Sequence, residues 1–346
     1  MPTVGRSSTA VYYHPLFLEH DTGLHPESPE RLVVIAEALR ASDLSLEWRL
    51  PEPADLSAIE RIHSPGYVDR VRQIAASGGG ALDLDTAISP RSFDAAVLAA
   101  GAGVQAVDAA LDEGQQAFLL VRPPGHHATP ARGMGFCLFN SIAIAAAHAL
   151  EVRGLERVLV VDWDVHHGNG TQDAFYGDKR VLFLSMHQQY HFPGTGWPEE
   201  VGSGEASGYT ANYTLPGGAG DGAARLFIEE LVVPLARAYR PQLVLVSAGY
   251  DSESGDRLGG LSLSRAAFGW MSRRLHLLAR EGTAAGPIFF LEGGYMPSMM
   301  ARSVLATLGA LEREPEGFMG MPDDPERAFL EEILSALRPY WPGTLK

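Results

Sequence analysis

Four short segments concentrate side chains that bind cations or move protons: RPPGHHA at 122–128, VDWDVHHGNG at 161–170, SAGYD at 247–251 and EGGY at 292–295. In an extended segment alternate side chains share a face, so Asp162, Asp164 and His166 project together, away from Trp163, Val165 and His167. Asp164 and His166 then form a pair able to hold one cation, and Asp251, which ends SAGYD, is the candidate third ligand. Two carboxylates and one imidazole leave a fourth position for water, the arrangement of a catalytic zinc rather than a closed structural one. The single cysteine, Cys137, excludes both a Cys-rich metal site and an internal disulfide. The tandem His126 and His127 follow Pro-Pro-Gly, where rigid and permissive residues set a sharp turn. Beside a metal, one such imidazole takes a proton from water and returns it to a leaving amine, while the second adds electrostatic support. Tyr295 follows a flexible Gly-Gly, which lets its phenol turn toward a carbonyl opposite the metal and polarise it.

Each reactive segment directly follows an apolar run, and the runs Ala10–Tyr13, Ala117–Val121, Val158–Val161, Val181–Leu184, Leu243–Val246 and Ile288–Leu291 read as buried parallel strands. Leu32, Ile35, Ala36 and Leu39 recur at helical spacing, and segments near 91–112, 139–152, 222–239 and 264–281 read as helices, the last capped by Ser262 or Ser264. Strands alternating with helices predict a three-layer α/β/α fold with a mainly parallel central sheet. Ligands bind beyond the carboxyl ends of such strands, so the four clusters are expected to converge on one rim. With no repeat or linker to divide it, residues 1–346 read as one domain. The Gly-rich stretch from His187 to Gly222 reads as an irregular active-site wall.

A composition of 46% hydrophobic and 20% charged residues over 346 positions suits a globular core and excludes a disordered chain. No run reaches the roughly 18 uninterrupted apolar residues of a membrane span, and MPTVGRSSTAVYYHP has no compact apolar h-region, so the expected location is the cytoplasm. A net charge of −15 argues against nucleic acid and anionic membranes as partners and favours cationic ones, such as a lysine-rich peptide or a polyamine.

The assembled motifs, HPESPERL, RPPGHHA, GFCLFN, VDWDVHHGNGTQ, FPGTG, SAGYD, GDRLGG and EGGY, span most of the chain and resemble the histone deacetylase and acetylpolyamine amidohydrolase family. The resemblance implies an arginase-deacetylase-like fold and one catalytic zinc on Asp164, His166 and Asp251. It implies a proton-transfer pair at His126 and His127, a carbonyl-polarising phenol at Tyr295, and hydrogen bonds from His126 to Asp162 and from His127 to Asn169. Some relatives carry Asp where Asn169 stands; the neutral amide resembles the second of the family's main classes and supports His127 as a base. Phe136 and Phe192 match the aromatic pair of the family's narrow channel, with Gly135 and the gate position Leu258 beside them. Arg31 resembles the arginine behind the metal that helps acetate leave, and Asp162 with Ser185 matches a structural potassium site.

The implied activity is zinc-dependent hydrolysis of linear amides, removing an acetyl or related acyl group from lysine side chains. An acetylpolyamine substrate is the near alternative. Leu258 and the short GGGALDLDTAISP linker favour acyl-lysine, whereas Asp83 and Asp85 in that linker suit either a peptide backbone or a cationic amine. A non-catalytic acyl-lysine binder and an arginase-like two-metal hydrolase are the remaining readings, and a homo-oligomer stays open.

Overall fold

Runs dominated by Val, Ile, Leu and Phe can bury both faces of a strand, and here they pair into a wholly parallel sheet. The computed structural model describes residues 8–282 and 284–345, so the first part of the N-terminal stretch read above for a targeting segment lies outside the described residues. The strands are β1 (Thr9–Tyr12), β2 (Leu46–Arg49), β3 (Gly80–Ala81), β4 (Ala87–Ile88), β5 (Ala117–Leu119), β6 (Val158–Asp162), β7 (Val181–Gln188), β8 (Thr210–Leu215), β9 (Leu243–Ala248) and β10 (Ala285–Leu291). Eight of them form the sheet in the order β2-β1-β5-β10-β9-β6-β7-β8, while β3 and β4 make a separate antiparallel ribbon in the GGGALDLDTAISP linker.

Helices flank the sheet and complete the three-layer α/β/α arrangement. Ser92–Glu113 and Ser141–Glu151 pack together, as do Glu30–Arg40, Pro297–Glu312 and Arg265–Gly282. Their ends follow local chemistry: Asn140 accepts the Ala143 N–H at the start of one helix, and Gly114 closes another in the left-handed region at φ 67°. Of the two serines expected to cap Arg265–Gly282, Ser264 directly precedes it and accepts the Ala267 N–H at 3.4 Å. The predicted helix over 222–239 forms as Asp221–Leu226, a π-helical stretch Phe227–Val232 and Val233–Tyr239. Ser92–Glu113 is long and apolar enough to cross a membrane, yet it is mostly buried against β10 and the neighbouring helix.

The stretch from His187 to Gly222 is less irregular than expected, since it holds the end of β7 and all of β8. β8 lies at the sheet edge but is buried throughout, because the helix Asp324–Leu337 covers it and the Glu326 carbonyl accepts the Tyr213 hydroxyl at 2.7 Å. β2 at the opposite edge was also missed; its LEWR sequence is half-exposed and carries charge.

Candidate active site

Strands β5, β10, β9 and β6 are consecutive neighbours, so the segments that leave their carboxyl ends emerge side by side. β6 ends at Asp162, earlier than the alternation argument assumed. Beyond it, successive side-chain-to-backbone turns do the positioning: Asp162 Oδ1 accepts the Asp164 N–H at 3.1 Å, and Asp164 Oδ1 accepts the His166 N–H at 2.9 Å. His167 points away from this cluster, bonded to Thr195 and Gln172.

Asp164, His166 and Asp251 present donor atoms that all lie within 4.8 Å of one another. His166 Nδ1 is 3.0 Å from Asp164 Oδ1 and 3.2 Å from Asp251 Oδ2. The remaining carboxylate oxygens are fixed by main chain, Asp164 Oδ2 by the Gly293 N–H at 2.8 Å and Asp251 Oδ1 by the Val165 N–H at 2.9 Å. A Cβ at Gly249 would collide with the Asp164 carboxylate, and one at Gly293 with that of Asp251, so bare glycines make room for the pair. Asp251 Oδ2 is buried without a well-formed hydrogen bond, and burial followed by the charge of Asp164 pushes its carboxyl up from the usual range. One imidazole nitrogen and two carboxylates gathered this closely fit a divalent cation of the zinc type.

Two buried histidines stand over this cluster with unlike partners. His126 Nδ1 lies 2.9 Å from Asp162 Oδ2, and His127 Nδ1 lies 2.9 Å from Asn169 Oδ1. Burial opposes charge on His126, but Asp162, Asp164 and Glu292 outweigh it and raise its pKa to about 10. His127 is held well below the ordinary range by burial first and then by the neighbouring imidazoles. Because Asn169 Oδ1 can only accept, His127 carries its proton on Nδ1 and leaves Nε2 as an acceptor.

A cavity of about 210 Å³ opens onto these groups, lined by Asp85, His127, Gly135, Phe136, His166, His191, Phe192, Leu258 and Tyr295. All four residues expected along the channel are therefore in its wall. Phe136 adopts φ 69°, a left-handed backbone unusual for an aromatic residue, with its ring edge-on to His25 at 4.5 Å and to Tyr295 at 5.7 Å. A Cβ at Gly135 would strike the His127 and Phe192 rings, whose centroids are 5.0 Å apart. Asp85 reaches the cavity; Asp83 instead accepts the Asp85 N–H at 3.2 Å and faces Arg132. Among the described residues the Tyr295 phenol oxygen has no hydrogen-bond partner, and burial comes first in raising its pKa well above the ordinary value.

Arg31 is fully buried behind Tyr295, its guanidinium carbon 5.1 Å from the ring centroid. All three of its nitrogens are engaged: Nε with the Gly294 carbonyl at 2.7 Å, one terminal nitrogen with Glu27 at 2.9 Å, the other with the Glu292 carbonyl. Glu27 also binds Arg122, and these two cations hold its carboxyl well below the usual range against the opposing effect of burial. Ser185 is the register partner of Asp162 across β6 and β7, and its hydroxyl meets His187 Nδ1 at 2.8 Å.

Residue-type reasoning missed His191 and Glu292. The His191 ring stacks on that of His166 at 4.9 Å, and its Nε2 lies 2.7 Å from the Leu258 carbonyl. Glu292 Oε2 accepts the N–H groups of Gly125 at 2.7 Å and His126 at 3.1 Å, fixing the turn that carries the histidine pair. Its place in EGGY, on the strand end that delivers Tyr295, was the available signal.

A family model described as the histone deacetylase domain matches residues 25–311. The chain is 38% identical over 325 residues to a probable deacetylase of Archaeoglobus fulgidus, covering 90% of each. It is also 38% identical to the human polyamine deacetylase HDAC10, over 96% of this chain and 53% of that longer protein. The solved HDA15 HD domain superposes with a TM-score of 0.91 at 33% identity, covering 98% of this chain and 96% of that one. Fold, site geometry and these matches together show that the chain belongs to the histone deacetylase family.

Proposed function

We propose that this chain is a zinc-dependent deacetylase that hydrolyses the amide of an acetylated lysine side chain. The observation that carries this reading is the convergence of Asp164, His166 and Asp251 with two unlike histidine dyads at the floor of one narrow, aromatic-walled cavity. Zinc held by those three residues would supply Lewis acidity at neutral pH. His127, neutral and with Nε2 free to accept, takes the proton of the attacking water and returns it to the departing amine. His126, paired with Asp162, stays cationic and supports negative charge as it develops. Tyr295 donates its phenol proton in a hydrogen bond to the carbonyl oxygen as that oxygen becomes anionic. Phe136 and Phe192 flank the methylene stem, and Leu258 presents an apolar gate. Arg31 would serve acetate release only by exchanging one of the bonds that now engage its nitrogens.

The reading also places a structural potassium ion at Asp162 and Ser185, supported by their adjacency on neighbouring strands. It treats residues 1–346 as one catalytic domain and its location as cytoplasmic. An acetylated polyamine is the second substrate reading, favoured by the carboxylate of Asp85 in the cavity wall.

The test is acetate release from an acetyl-lysine peptide and from an acetylated polyamine, each with zinc-loaded and chelator-stripped protein. Zinc-dependent cleavage that is faster for the peptide supports the proposal. A faster polyamine reaction transfers the activity to the second reading, and binding of either compound without hydrolysis would leave a non-catalytic binder.

A further inference from the structure

The segment from Glu292 to Met296 belongs to no helix or strand, and Gly294 sits at φ 113°, a conformation open to glycine and strained for other residues. Arg31 holds the Glu292 and Gly294 carbonyls and Asp164 the Gly293 N–H, but these bonds stop short of the Tyr295 N–H, and its phenol must sit within the roughly half-ångström tolerance that transition-state hydrogen bonding demands. The Tyr295 N–H itself donates to Asp256 Oδ2 at 2.7 Å. The second oxygen of the same carboxylate, Oδ1, accepts the Leu258 N–H at 2.9 Å. Leu258 is joined through its carbonyl to His191, and His191 stacks on His166. Tyr295, Leu258, His191 and His166 all line the cavity, whereas Asp256 stands behind them, 9% exposed, and links the first two. Only a carboxylate offers two equivalent acceptor oxygens for this task; an amide offers one and alanine none.

We propose that Asp256 is a positioning residue that fixes the Tyr295 phenol in the cavity and couples its placement to the Leu258 wall. The proposal rests on the reading of Tyr295 as the group that polarises the substrate carbonyl. Asp256 touches no reacting atom; it acts through the backbone of the residue that does.

The experiment is a double-mutant cycle on the zinc-loaded enzyme with Asp256→Ala, Tyr295→Phe and both together, assayed for kcat and KM on an acetyl-lysine peptide. A phenol displaced by about an ångström costs up to roughly 10²-fold in rate, so Asp256→Ala should lower kcat by about 10–10² while KM moves by less than about threefold. In the Tyr295→Phe background the same change should cost less than about twofold, since the group it positions is already gone. Equal losses in both backgrounds overturn the proposal. Asp256→Asn repeats the cycle should the alanine variant fail to fold, and it should fall between wild type and alanine. A second readout does not depend on turnover: with 3-fluorotyrosine incorporated and the position-295 resonance assigned from Tyr295→Phe, removing the carboxylate should shift or broaden that ¹⁹F signal. An inactive wild type whose ¹⁹F signal still responds refutes the deacetylase reading and leaves the positioning role standing, whereas an unchanged signal refutes the positioning role.

Discussion

Replacing Asp251 by asparagine tests the metal centre with little disturbance to the fold. Asp251 Oδ1 accepts the Val165 N–H at 2.9 Å, and an asparagine carbonyl can keep that bond. The change falls on Oδ2, the buried oxygen that faces His166 Nδ1 at 3.2 Å, which becomes an NH₂ unable to bind a cation. Zinc sites with about four donors bind with roughly 10–16 kcal/mol, or about 3–4 kcal/mol per donor, so losing one should weaken affinity by two to three powers of ten. In chelated protein the sign reverses. Burial and the charge of Asp164 push the Asp251 carboxyl up to about 6 even against the opposing attraction of His166, so removing this buried charge should stabilise the metal-free fold at pH 7. Asp251→Asn should therefore melt above wild type when chelated and gain less from added zinc, read by calorimetry beside a competition titration against a zinc chelator. A variant that retains one zinc per chain at wild-type affinity would refute the ligand assignment.

Three further outcomes are expected. Tyr295→Phe should lower turnover by roughly 10²–10³ at an unchanged melting temperature, and unchanged turnover removes the phenol from the mechanism. Glu292→Ala strands the buried N–H groups of Gly125 and His126, costing about 2–6 kcal/mol in denaturant unfolding, whereas Glu292→Gln keeps an acceptor oxygen and should cost far less; equal costs refute the hydrogen-bond argument. His63 accepts the Asn140 N–H at Nε2 and donates from Nδ1 to the Thr129 carbonyl, a neutral tautomer that burial holds at a pKa of about 4. Since the unfolded ring titrates near 6.5, its stabilising contribution is complete above that pH and lost as pH falls toward about 4, amounting to about 2 kcal/mol by pH 5. His63→Gln should therefore lose less stability than wild type between pH 7.5 and 5.0, and parallel losses refute the assignment.

The strand interiors and the four reactive segments were legible because burial on both faces leaves continuous apolar runs, and because histidines and carboxylates beside such runs must be paired or ligate something. The ligand set Asp164, His166 and Asp251 and the channel residues were reached from residue type, spacing and resemblance. The edge strand β8 was not, since TANYTL lies among glycines and is buried only because a helix more than a hundred residues later in the chain covers it. The extended alternation invoked for Asp162, Asp164 and His166 ends at Asp162, and Asx-type turns bring the ligands together instead. Arg31 illustrates the same division: its motif marked it, but only packing shows it sealed behind Tyr295 with every nitrogen engaged. The sequence by itself determined which residues are able to bind a metal, shuttle protons and line a narrow channel, because those capacities reside in side-chain chemistry and local pattern. Tertiary structure alone decided that β10, near the end of the chain, inserts between β5 and β9. That non-local pairing, invisible to local periodicity, sets Glu292 against the N–H groups of the histidine turn, Gly293 against the metal-site carboxylates and Tyr295 in the cavity wall that His127 also lines.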